Sequence, residues 1–171
     1  YLLEGEHVPL DEQEAAGWFE RAAQQGLSRA QEALAVQFSL GRGVVQDHKQ
    51  AVRWFREAAE QRLPAGQYGL ARCLELGNGL TADPAAAVQW YRRAAEHDFP
   101  EAQCALGLCC ASGRGTPRDL RAAARWYERA ADLGLGRACL LLGRCHLQGA
   151  GVSPDPGQAA EWYRRGASLG H

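Results

Sequence analysis

Residues 113–134 read GRGTPRDLRAAARWYERAADLG, a glycine-bearing turn followed by a run of small and aromatic residues. Within that run Ala123, Trp126, Tyr127, Ala130 and Ala131 stand at i, i+3, i+4, i+7 and i+8. That spacing is one apolar stripe of a helix. Asp119, just ahead of it, can accept the free N–H groups of the first turn, and Gly134 can take the left-handed stop after the last. The aromatic pair followed by a small pair suits close helix packing, in which a ring fills the space left by short side chains opposite.

The same stretch recurs along the whole chain of 171 residues. Trp18, Trp54, Trp90, Trp126 and Trp162 are all five tryptophans, each 36 residues from the next. Phe19, Phe55, Tyr91, Tyr127 and Tyr163 follow them, and then the small pairs Ala22-Ala23, Ala58-Ala59, Ala94-Ala95, Ala130-Ala131 and Gly166-Ala167. Asp11, Asp47, Asp83, Asp119 and Asp155 supply an N-cap for each copy, with Pro84 and Pro156 at the first helical position, where the missing N–H costs nothing. Gly26, Gly134 and Gly170 follow three of these helices. Arg62 and Asp98 hold that place in the other two, whose ends should be less ideal.

Between these helices lies a second set, anchored by Leu34, Leu70, Leu106 and Leu142 and ending before Gly41, Gly77, Gly113 and Gly149. The glycine two positions later, as in Gly77-Asn78-Gly79, permits the turn that returns the chain antiparallel. The pattern predicts helices at 12–25, 29–40, 48–61, 65–76, 84–97, 101–112, 120–133, 137–148 and 156–169, with a stub of an earlier helix at 1–5. One hairpin cannot bury its apolar face, so the copies must stack into a single repeat domain spanning 1–171, an all-α solenoid.

Charge and hydropathy narrow the function. Nineteen Lys and Arg against twenty Asp and Glu leave a net charge of -1, without the long-range positive field that gathers nucleic acid. No apolar run approaches the roughly 18 to 20 residues that cross a bilayer. Cys73, Cys109 and Cys145 are 36 residues apart. Equivalent positions of stacked hairpins lie about 10 Å apart, beyond the roughly 7 Å that a disulfide spans. Free thiols in a cytoplasmic or other reducing compartment are expected.

Neither metal nor cofactor chemistry is expected. The neighbours Cys109-Cys110 and Cys145-His146 point about 100° apart on a helix and can hardly share one zinc ion. None of the glycine loops continues into the lysine and hydroxyl of a phosphate cradle. The aspartates, one per repeat, are too regular to be a catalytic set. The chain opens without Met inside a repeat, so a longer protein is expected, with further repeats, a flanking segment or self-association covering the solenoid's ends.

The recurring Gly-x-Gly, Asp, Trp-Tyr or Trp-Phe, Ala-Ala and Gly elements, most complete at 113–134, resemble the Sel-one-like repeat, a relative of the tetratricopeptide repeat. His7 in place of a loop glycine and Gly166 in place of a small-pair alanine depart from it. The resemblance implies a right-handed α/α superhelix whose helices beginning near 29, 65, 101 and 137 line a concave face. Helical spacing along them then exposes Arg29, Glu32, Val36 and Ser39; Ala65, Tyr68, Arg72 and Glu75; Glu101, Cys104, Leu108 and Ala111; and Arg137, Leu140, Arg144 and Leu147. Arg72 and Arg144 would take a carboxylate, Tyr68 a flat contact, and the leucines apolar ones. The function implied is non-catalytic: an adaptor or scaffold holding a partner protein or peptide. The alternatives are a bacterial secretion-system immunity or envelope protein that binds a toxin, and a regulatory or anchoring arm of a larger enzyme.

Overall fold

The computed structural model describes residues 12–170. The stub, His7, Asp11 and His171 lie outside them. Nine helices of 13 residues are described: α1 (Glu12–Gln24), α2 (Ser28–Leu40), α3 (His48–Glu60), α4 (Pro64–Leu76), α5 (Pro84–Glu96), α6 (Pro100–Ser112), α7 (Leu120–Asp132), α8 (Gly136–Gln148) and α9 (Pro156–Ser168). No strand occurs among the described residues. The odd helices stop one residue sooner than the spacing predicts, and the even ones begin one sooner. At α4 and α6 that extra residue is Pro64 or Pro100, whose fixed φ suits a first helical position.

The caps explain why helices of one length repeat. Asp47, Asp83, Asp119 and Asp155 each accept a backbone N–H of the first turn through the side chain, at 2.9 to 3.1 Å. Gly41, Gly77, Gly113 and Gly149 end the even helices in the left-handed conformation. Arg62 and Asp98 take the same conformation at φ 63° and 53° without being glycine, the strained ends the sequence marks.

Consecutive helices pack as antiparallel pairs, and α2 also reaches α4 directly, so successive hairpins stack as a solenoid. One buried cluster runs from Ala23 to Cys73 and a second from Ala71 to Cys145, with Leu74 and Trp90 packed against both. In the pairs Trp90-Tyr91 and Trp126-Tyr127 the second ring is buried and the first only partly so. Phe55, Tyr91 and Tyr127 are buried, and a Cβ on Gly107 would stand 2.6 Å from Tyr127 Cε1, so ring and glycine are fitted to one another. Trp54 is buried and Trp90, Trp126 and Trp162 partly so, whereas Trp18 is 60% exposed. All five carry an arginine guanidinium 4.4 to 5.1 Å from the ring centroid.

Two repeat-wide features lie beyond the apolar pattern. The second loop glycine serves packing as well as turning: a Cβ on Gly79 would run into the His48 carbonyl oxygen, and one on Gly115 into that of Pro84. Each loop therefore rests backbone to backbone on the start of the preceding odd helix. Buried glutamines also recur at the 36-residue interval. Gln31, Gln67 and Gln103 donate through Nε2 to the carbonyls of Ala23, Ala59 and Ala95, at 3.3, 3.5 and 3.1 Å. These carbonyls lie at odd-helix ends, where each also accepts the backbone N–H of the residue three positions on, Gly26, Arg62 or Asp98.

Candidate functional site

A groove of about 420 Å³ lies between α2 and α4 and extends to the start of α6. Helical spacing brings Glu32 and Val36 from α2 and Tyr68, Arg72 and Leu76 from α4 onto its walls, and the α5–α6 turn adds Phe99 and Glu101. The Tyr68 ring is fixed by Phe99 and Tyr91, at centroid distances of 5.4 and 5.7 Å. The Arg72 guanidinium lies 6.0 Å from the same ring. A planar donor fork beside an aromatic face is thus set within an apolar trough.

Burial sets the electrostatics. It pushes the Glu32 carboxyl above its ordinary value, because the charged form loses water. Burial also raises the Tyr68 hydroxyl, aided by Glu101 and Cys104 and opposed by Arg72 and Arg137. Arg137 on α8 therefore bears on the wall that Arg72 and Glu101 share.

The residues expected to face a partner are not all gathered there. Glu32, Tyr68, Arg72 and Glu101 line the groove. Arg29, Arg137 and Arg144 are exposed on α2 and α8, outside its lining. Leu108 is partly buried against the core. Leu140 and Leu147 are exposed on the last hairpin, where a Cβ on Gly166 would meet Leu140 at 3.2 Å. Glu75 is engaged inside the fold: Tyr91 Oη donates to it at 2.7 Å, and Arg114 pairs with it at 3.5 Å. Cys104, expected on the exposed stripe, is instead buried, with its thiol pushed up to about 11 by burial.

Phe55, Phe99 and His48 belong to the groove and were not legible from the even helices alone. Their positions, one at an odd helix's start, one within it and one at an even helix's N-cap, depend on how neighbouring helices are set together. A signal did exist at Phe99, which stands before Pro100 where Leu27, Leu63 and Leu135 stand in the other copies.

All six cysteines are free and buried. Burial holds the Cys104 and Cys109 thiols near 11, far from the lowered values of reactive thiolates. Among the described residues no three His, Cys, Asp or Glu side chains are grouped to hold a metal ion. No described helix is long and apolar enough to cross a membrane.

A family model described as Sel1 repeat matches five times, over residues 1–27, 28–63, 64–99, 100–135 and 136–171. Among solved structures, a Sel1 repeat protein from Oxalobacter formigenes is similar at 40% identity with a TM-score of 0.86, covering 97% of this chain and 48% of that one. A protective antigen present in uropathogenic Escherichia coli strains and displaying an SLR fold is 35% identical with a TM-score of 0.88, covering 98% of this chain and 36% of its own. Cysteine rich protein B of Helicobacter pylori is 26% identical with a TM-score of 0.59, covering 74% and 90%. A search of curated proteins found no match. This chain thus spans less than half the length of the first two. Five end-to-end matches to one repeat, on the helical hairpins described above, place the chain in the Sel1 repeat family.

Proposed function

We propose that the chain is a non-catalytic binding module that holds a partner protein or peptide on the face formed by α2, α4, α6 and α8, the concave side of the solenoid. The observation that carries this reading is the groove, where apolar Val36, Leu76 and Phe99 stand beside Tyr68 with Arg72 held over its ring. Such a wall buries an apolar anchor and gives an approaching carboxylate a two-pronged donor.

The test is affinity capture from the native cell with this segment and with the Arg72→Glu, Arg144→Glu double variant. Loss of the specific partner from the variant, with its helical signal intact, is the expected result. Undiminished capture by a folded double variant would show that the partner binds elsewhere.

A second reading of setting takes its support from the 35% identity to a protein described as a protective antigen, since an antigen that protects has to meet antibody: an envelope-associated protein whose groove faces a partner there. Cell fractionation with an antibody to this segment tests it: recovery in the envelope fraction is expected, and recovery only in the cytosol opposes it.

A further inference from the structure

The glutamine ladder is unequal from one repeat to the next. Gln31 Nε2 gives its second hydrogen to Glu57 Oε2 at 3.3 Å, and Gln103 Nε2 gives its own to Asp98 Oδ1 at 3.3 Å. Asp98 in turn receives Arg129 Nη2 at 3.1 Å. A carboxylate thus closes the ladder position in both of these repeats. Gln67, 3% exposed, bonds only to the Ala59 carbonyl, at 3.5 Å, which leaves its second Nε2 hydrogen without an acceptor, while its Oε1 lacks a partner as that of Gln103 also does.

The cause lies in the sequence. At the 36-residue register the positions of Glu57 and Asp98 become Arg93 and Arg62 around Gln67. Both acids are replaced by arginine, and the structure has a cleft of about 460 Å³ there, lined by Gln67, Arg62, Arg93, His97 and Trp90. Arg93 lies 4.4 Å from the Trp90 ring centroid, and neither it nor Arg62 forms an ion pair among the described residues. Two acids, Glu60 and Glu96, also line the cleft, both exposed and unpaired with either arginine. In the last repeat Asp132, at the position of Glu60, does hold Arg165 at 3.1 Å, so Glu60 is the chain's own competitor for Arg93.

We propose that this cleft is a carboxylate-binding site, in which an external carboxylate takes the place that Asp98 fills one repeat later, accepting from Gln67 Nε2 and the Arg93 guanidinium. The ligand is either a small free carboxylate or an Asp or Glu side chain of a partner. The site lies at the α3–α4 turn and stands independently of the groove. Charge-assisted bonds from a planar guanidinium, added to a buried amide hydrogen that lacks an acceptor, are what a carboxylate satisfies best.

The test is an NMR titration of the segment with succinate and, separately, with a short capped peptide carrying one aspartate, using sulfate at matched ionic strength as the control. Saturable shifts of the Gln67 side-chain amide and the Trp90 indole are expected with at least one carboxylate probe. The free probe responding alone identifies a small ligand, and the peptide responding identifies a protein side chain. Arg93→Gln should weaken binding about tenfold or more. Arg62→Asp, which supplies from within the acid that the next repeat has, should abolish it while keeping the helical signal, and Glu60→Gln should leave it equal or tighter. The proposal fails if neither carboxylate saturates, if sulfate produces the same shifts, or if folded Arg62→Asp binds as before.

Discussion

Tyr91 on α5 donates its phenolic hydrogen to Glu75 on α4 at 2.7 Å, in a contact that ties together the two helices of the 64–99 repeat. Tyr91 is 1% exposed, and burial, followed by Glu75, holds its hydroxyl well above the ordinary phenol value. Arg114 closes over the same acid from the α6–α7 loop, pairing with its carboxylate and donating to its backbone carbonyl at 2.7 Å. Tyr91→Phe should therefore cost about 1 to 2 kcal/mol in urea unfolding. Glu75→Gln, which keeps an acceptor but loses the charge, should cost less. Neither change should affect capture of a partner held in the groove, and a loss of capture from Glu75→Gln alone would return that residue to the binding surface.

The loop glycines should be far less tolerant. Gly115→Ala puts a side chain on a residue at φ 72° and drives its Cβ into the Pro84 carbonyl. A left-handed alanine costs about 1 to 2 kcal/mol, and overpacking adds about 1 to 3. A fall in stability of about 3 kcal/mol is expected in denaturant melts, whereas Ala substitution at Gly26, where the added Cβ meets nothing within 4 Å, should show the conformational cost alone.

Arg62 and Asp98 share a strained backbone conformation and differ in what their side chains do. Arg62→Gly should stabilise the fold by about 1 kcal/mol, because glycine enters the left-handed region freely. Asp98→Gly gains the same relief but loses the bonds to Gln103 and Arg129, so its net effect should be smaller or of opposite sign. Equal stabilisation by both, measured by thermal and urea unfolding, would show that the Asp98 bonds contribute nothing.

Glu32 gives the groove a pH signature. Its folded value lies above the ordinary 4.5 because burial disfavours the charged form. Its contribution to stability is therefore present below the unfolded value and is lost as pH rises through the folded one. Glu32→Gln should raise the melting temperature at neutral pH and change it little once the pH is well below 4.5. A variant equally stabilised at both pH values would place the cause in packing.

The solenoid was legible because its determinants are local and recur in phase: Trp54 with Phe55, Asp47 ahead of them, and Gly41 and Gly77 closing the turns. The groove was only half legible. Helical spacing brought Glu32, Tyr68, Arg72 and Glu101 to it, but the same spacing put Glu75 and Cys104 on the open face. Their true positions depend on how closely the next hairpin approaches, and a helical wheel of one element contains no such information. The glutamines at 31, 67 and 103 were visible as a 36-residue series, yet a polar residue on a helix reads as solvated until a carbonyl of the preceding helix is found opposite.

The most direct measurement of groove binding is site-specific photocrosslinking to the captured partner. A benzophenone side chain at Leu76, on the groove wall, should yield a covalent conjugate, while the same probe at Arg56, exposed on α3 and outside the groove lining, should yield none. Conjugates formed from Arg56 and absent from Leu76, with both proteins folded and both capturing the partner, would contradict the assignment of the binding face.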